Sequence, residues 1–199
     1  MKTSALRRRL VLLGLIARDQ TTRFTGGYDL GGSMGLKIIS GDITKLETDA
    51  IVNAANTGLK QGGGVCGAIF NAAGARELQK ACDVLAPIET GEAVITPGFN
   101  LPARYVIHTA GPVYNSAAMK ESERKLRDSY TNSLKLAKEN NLTSIAFPLI
   151  SSGIYGYPLG EAYKVAVDAI ENFLKTNDMD VSLVIFDERT LNYLKSLGR

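Results

Sequence analysis

Two carboxamides and a run of nearly bare backbone carry the strongest chemical signal in the chain: Asn53-Ala54-Ala55-Asn56 and, six residues on, Gly62-Gly63-Gly64-Val65-Cys66-Gly67. An asparagine offers both a donor and an acceptor to sugar hydroxyls. Glycines let backbone N–H groups approach phosphate oxygens with no Cβ in the way, and a following helix start adds partial positive charge. The pair therefore suits a phosphorylated sugar. Ser151-Ser152-Gly153-Ile154-Tyr155-Gly156-Tyr157-Pro158 reads as a second phosphate cradle or, more simply, as a tight turn into a helix. Two cradles facing each other would fit a diphosphate.

Asp42, in Gly41-Asp42-Ile43-Thr44, offers either a carboxylate acceptor for an exocyclic amine such as that of adenine or a cap for a short helix over Ile43 to Leu46. Phe186 is placed to stack on a base or to fill core. His108 is the only histidine, but it sits in the alternating run Tyr105-Val106-Ile107-His108-Thr109, which favours a satisfied structural residue over a catalytic base. Cys66 has no neighbour in sequence that would lower its pKa and reads as a small packing residue rather than a nucleophile. With Cys66, Cys82 and one histidine, a four-ligand zinc site of the usual kind is not expected, and no secreted cysteine framework is present. The expected setting is reducing and cytoplasmic, with no metal.

Positioning these groups requires strands that end where the unusual loops begin. Short apolar, β-branched runs predict strands at 36–40, 50–54, 92–96, 105–109, 144–148 and 182–186, and helical periodicity predicts helices at 67–83, 118–140, 158–175 and 188–197. In the second helix Leu126, Tyr130, Leu134 and Ala137 form a core-facing stripe. Strands alternating with helices imply an α/β fold with a largely parallel sheet covered on both faces. In such sheets ligands sit outside the carboxyl ends of the strands, where the Asn53 to Gly64, Gly111 to Tyr114 and Ile150 to Tyr157 loops fall.

At 199 residues and 45% hydrophobic, the chain can bury one substantial core, and no stretch approaches the length of a membrane span. The formal charge of +3 is unevenly spread. Residues 1–34 carry six basic and two acidic side chains, whereas the rest carries 17 basic and 18 acidic. The globular part thus gives no electrostatic case for nucleic acid. Arg7-Arg8-Arg9 and the apolar run Leu10 to Ala17 superficially resemble a signal peptide, but Arg18-Asp19-Gln20 follows with no clear cleavage site. Gly31-Gly32-Ser33 ahead of Met34 looks like a joint, so residues 1–34 are expected to be an appended or fused segment that packs on the domain at 35–199 or on a neighbouring molecule.

Taken in order, Gly41-Asp42-Ile43-Thr44, Asp49 to Asn56, Gly62 to Val65, His108-Thr109-Ala110-Gly111-Pro112 and Pro148 to Pro158 closely resemble the macrodomain family, most of all its MacroD-type and O-acetyl-ADP-ribose deacetylase branch. The resemblance implies a three-layer α/β/α fold with a mostly parallel, mixed central sheet that binds ADP-ribose and mono-ADP-ribosylated proteins, without a cofactor. Carried over by position, Asp42 would accept the adenine amine, Ile43 would contact the base and Phe186 would flank it. Gly63, Gly64, Val65 and Cys66 would line one side of the diphosphate and distal ribose, with Ser152, Gly153, Ile154 and Tyr155 on the other. Asn56 would hold the ribose as the catalytic residue, and Asn53 would support the loop. Relatives of this branch typically place an aspartate where this chain has Cys66, and often a histidine where it has Phe70. Other members lack that aspartate and still hydrolyse. The resemblance therefore implies an ADP-ribosyl hydrolase acting on acidic side chains or an O-acetyl-ADP-ribose deacetylase, the alternative being a non-catalytic reader. A dinucleotide-dependent oxidoreductase is disfavoured, since no G-x-G-x-x-G follows the first strand.

Overall fold

Among the described residues the short β-branched runs become six strands: β1 (Leu36–Ser40), β2 (Ala50–Ala55), β3 (Ala93–Pro97), β4 (Tyr105–Ala110), β5 (Ser144–Pro148) and β6 (Asp180–Ile185). A computed structural model describes residues 35–197. The expectations for residues 1–34 lie outside the described residues. The strands form one sheet in the order β1-β6-β5-β2-β4-β3, parallel throughout except for β3, which runs antiparallel to β4. Central strands such as β2 are buried on both faces, which accounts for their nearly continuous apolar character.

Among the described residues five α-helices cover the faces: α1 (Gly64–Ala73), α2 (Ala75–Leu85), α3 (Met119–Glu139), α4 (Leu159–Leu174) and α5 (Glu188–Leu197). Strand alternation divides the core in two. Val52, Ile107 and Phe147 pack with Leu126, Tyr130 and Leu134 of α3 and with Ala166 of α4. On the other face Ile51, Val106 and Ala146 meet Ile69 and Phe70 of α1 and Leu78 of α2. This is the three-layer α/β/α arrangement with a mixed sheet.

The single helix expected over 67–83 is two. Gly74 adopts φ +97°, and a Cβ there would press on Asn100 Nδ2 and Glu77 Oε2 at 3.1 and 3.2 Å. Only glycine takes that backbone conformation at little cost, so the helix stops and restarts in a new direction. The last strand also starts two residues earlier than expected and ends at Ile185, so Phe186 stands just beyond it.

At the amino end of the sheet, Asp49 ties three strands together. Its Oδ1 accepts from Arg104 Nη1 at 2.9 Å, and Oδ2 accepts from Thr143 N, Thr143 Oγ1 and Ser144 N at 2.8, 2.9 and 3.2 Å. Burial alone would raise this carboxyl, but the bonds from Thr143 and Arg104 outweigh it and hold the pKa below its ordinary value.

Candidate functional site

All five parallel strands send their carboxyl ends to one edge, and the loop after each contributes to a cleft there. Its larger part, about 600 Å³, is lined by Asp42 after β1, Ser152 and Gly153 after β5 and Phe186 after β6, with Ile43 and Val65. The smaller part, about 280 Å³, is lined by Asn56 and Gly63 after β2, Gly111 after β4 and Ile154 and Tyr155 after β5, together with Cys66. Gly64, Val65 and Gly153 border both parts, so the two cavities adjoin.

At that shared border the backbone is rich in unused donors. Helix α1 begins after Gly63 with no side-chain cap and no acidic residue in its first turn, and the amides of Gly64, Val65 and Cys66 have no acceptor among the described residues. Gly64 takes φ +58°, and a Cβ on Gly67 would fall 2.6 Å from the Gly62 carbonyl oxygen, so these glycines permit the tight entry to the helix. Opposite lie Ser152, Gly153, Ile154 and Tyr155, whose amides also lack a protein acceptor among the described residues. Ser152 Oγ donates to Leu149 O at 2.8 Å, which shapes the turn. Two facing rows of free N–H groups with a helix terminus behind one of them make a site for an extended anion.

The wider cavity has the character of a base pocket. Ile43 is buried, while Phe186 is 83% exposed and free to cover a flat ligand. Asp42 caps the 3-10 turn over Ile43–Lys45, its Oδ1 accepting from Thr44 N at 2.9 Å and Thr44 Oγ1 at 2.7 Å. That use leaves Oδ2 without a protein donor among the described residues, so capping and ligand recognition are compatible.

Asn56, half-buried, has its carboxamide bound at both ends to one residue: Nδ2 donates to Lys60 O at 2.7 Å and Oδ1 accepts from Lys60 N at 3.1 Å. One N–H and one lone pair remain for a ligand. Asn53 lines neither cavity. It belongs to β2, on the same face as Ile51 and Ala55, and is fully buried behind Cys66. Its Nδ2 lies 3.7 Å from Cys66 Sγ and 3.1 Å from His108 Nδ1.

His108 is enclosed between Asn53 and Thr96, with Nε2 2.9 Å from Thr96 Oγ1. Because Asn53 Nδ2 can only donate and Thr96 Oγ1 itself donates to Pro97 O, the neutral Nε2–H form satisfies every partner. Complete burial pushes the imidazole pKa down to about 3. The residue is neutral and away from the cleft, in keeping with a structural role. Cys66, 5% exposed, has its Sγ 3.9 Å from Lys60 O, and burial pushes the Cys82 thiol up to about 12.

Two residues of the expected loops fix how those loops meet. Gly111 permits the β4 loop to touch the β5 loop: a Cβ there would collide with Ser151 Oγ and Ile150 Cγ2. Ser151 itself has φ +64° and a buried hydroxyl with no hydrogen-bond partner among the described residues. Tyr130, read as core, also holds this loop, donating to Pro148 O at 3.3 Å and accepting from Ile150 N at 2.9 Å. No group of acidic, histidine or cysteine side chains among the described residues is arranged to hold a metal ion.

The family model "Macro domain" matches residues 52–166. The chain belongs to the macrodomain family. This macrodomain is 47% identical over 161 residues to the O-acetyl-ADP-ribose deacetylase of Salmonella typhimurium, covering 78% of this chain and 89% of that protein. It is 51% identical over 146 residues to the ADP-ribose glycohydrolase MACROD2 of Xenopus laevis, covering 73% of this chain and 35% of the relative. Among solved structures, the Trypanosoma brucei macrodomain in complex with ADP-ribose matches with TM-score 0.74 and 38% identity, over 83% of this chain and 69% of that one. No helix among the described residues is long and apolar enough to cross a membrane.

Proposed function

We propose that this macrodomain binds ADP-ribose and hydrolyses it from acidic side chains of mono-ADP-ribosylated proteins, and that it deacetylates O-acetyl-ADP-ribose by the same site. The observation that carries the reading is the pair of facing free-amide rows, at 64–66 and 152–155, set between an apolar cavity and a cavity bearing Asn56. A diphosphate satisfies those amides. The adenine then falls beside Asp42, Ile43 and Phe186, and the distal ribose beside Asn56, Gly63 and Cys66. The names of the Salmonella and Xenopus relatives support the chemistry.

Hydrolysis breaks the bond between the ribose and the carboxylate oxygen of the modified side chain, with water supplying the new hydroxyl. Among the described residues no carboxylate lines the cavity beside Asn56 to act as base, so the rate rests mainly on orientation: amides hold the diphosphate and Asn56 fixes the ribose. Cys66 favours a second reading, a reader that binds without turnover. Incubation with a protein mono-ADP-ribosylated on Glu or Asp decides between them. The hydrolase reading predicts release of free ADP-ribose that Asn56→Ala slows about 100-fold. Tight ADP-ribose binding with no release establishes the reader.

A further inference from the structure

We propose that Gln79 of α2 is a positioning residue for Asn56, acting through the backbone of Leu59, Lys60 and Gln61; the inference rests on the hydrolase reading given above. Among the described residues Asn56 is bonded through both ends of its carboxamide to Lys60 alone, so the orientation of that amide follows the Lys60 backbone. Gln79 spans that residue. Its Oε1 accepts from Gln61 N at 3.0 Å and its Nε2 donates to Leu59 O at 3.1 Å, one contact on each side of Lys60. The second Nε2 hydrogen goes to Asp83 Oδ1 at 2.8 Å, one helical turn away, and the same oxygen accepts from Lys60 Nζ at 2.6 Å. Nothing in Gln79 is left to rotate freely.

The segment needs such a hold. Leu59 is buried in the left-handed region at φ +52°, a conformation that costs a branched side chain energy unless its surroundings impose it. The glycines that follow have no side chains to anchor the loop. Helix α2 therefore adds to the loop's own bonds, Leu59 N to Asn56 O at 3.0 Å and the Asn56–Lys60 pair, with side chains that line neither part of the cleft.

The test compares Gln79→Ala and Gln79→Glu with the parent protein. Gln79→Ala is expected to lower kcat for ADP-ribose release about 10-fold with the ADP-ribose Kd within about threefold, because misorientation of a reacting group acts on the transition state more than on binding. Gln79→Glu keeps the acceptor for Gln61 N but turns a carboxylate oxygen toward Leu59 O and Asp83 Oδ1, so it is expected to lose at least as much as Gln79→Ala. Exchange of the Asn56 side-chain amide protons, followed by NMR, is expected to speed up in Gln79→Ala whether or not the parent turns over. Unchanged kcat in a parent that turns over, a fall in kcat that only tracks loss of folded protein, or unchanged Asn56 amide exchange overturns the proposal. A parent that releases no ADP-ribose refutes the hydrolase reading instead, and the exchange measurement still decides the clamp.

Discussion

At the amino end of the sheet Asp49 is met by four donor contacts, while at the carboxyl end seven amides, in residues 64–66 and 152–155, have no acceptor among the described residues. The amino end uses its polar groups on itself and joins β2, β4 and β5. The carboxyl end keeps donors in reserve and keeps local strain with them, in the left-handed Leu59 and Ser151 and the unpartnered Ser151 hydroxyl. Unspent hydrogen-bonding capacity held in place by strained backbone is what a preorganised ligand site requires.

Substitutions at the two ends should fail in different ways. Asp49→Ala leaves several donors without their acceptor and is expected to cost about 2 to 3 kcal/mol in denaturant unfolding, with turnover per folded molecule unchanged. Asn56→Ala should do the reverse, lowering turnover about 100-fold with a melting temperature close to that of the parent. If either substitution changes both properties together, the division between the ends is wrong.

Between the ends, His108 gives a pH signature of the core. Its native pKa of about 3 lies below the ordinary histidine value near 6.5, so between these pH values the unfolded chain binds a proton that the native protein does not. The stability it contributes is complete above the upper value and is lost as pH falls toward the lower one, with a slope approaching about 1.4 kcal/mol per pH unit. Unfolding measured across this range should show that slope, and His108→Gln should flatten it. Turnover should show no transition belonging to His108. The smallest expected effect is at Phe186, where Phe186→Ala should weaken ADP-ribose binding about fivefold, the value of a partly exposed stacking contact, with no measurable change in stability.

The cleft was readable in the sequence because its donors are local. The Gly62-Gly63-Gly64 run and Ser151 to Pro158 each carry their own signal, and the strands that present them are marked by β-branched runs. Alternation along β2 puts 51, 53 and 55 on one buried face, a signal in the sequence that sets Asn53 apart from the loop that follows it. The break at Gly74 was also visible as a glycine inside a helical pattern. What sequence could not give were the supports whose partners lie far along the chain: Asp49 with Thr143, Tyr130 with Ile150 and Gln79 with Gln61. Those pairings exist only once the sheet order and helix placement are fixed.

Calorimetric titration of the protein with ADP-ribose and, separately, with adenosine shows whether the free amides between the two cavities anchor a diphosphate. The structure predicts that ADP-ribose binds at least about 100-fold more tightly, since charge-assisted bonds to the two amide rows are absent from adenosine. Equal affinity for the two ligands would contradict it.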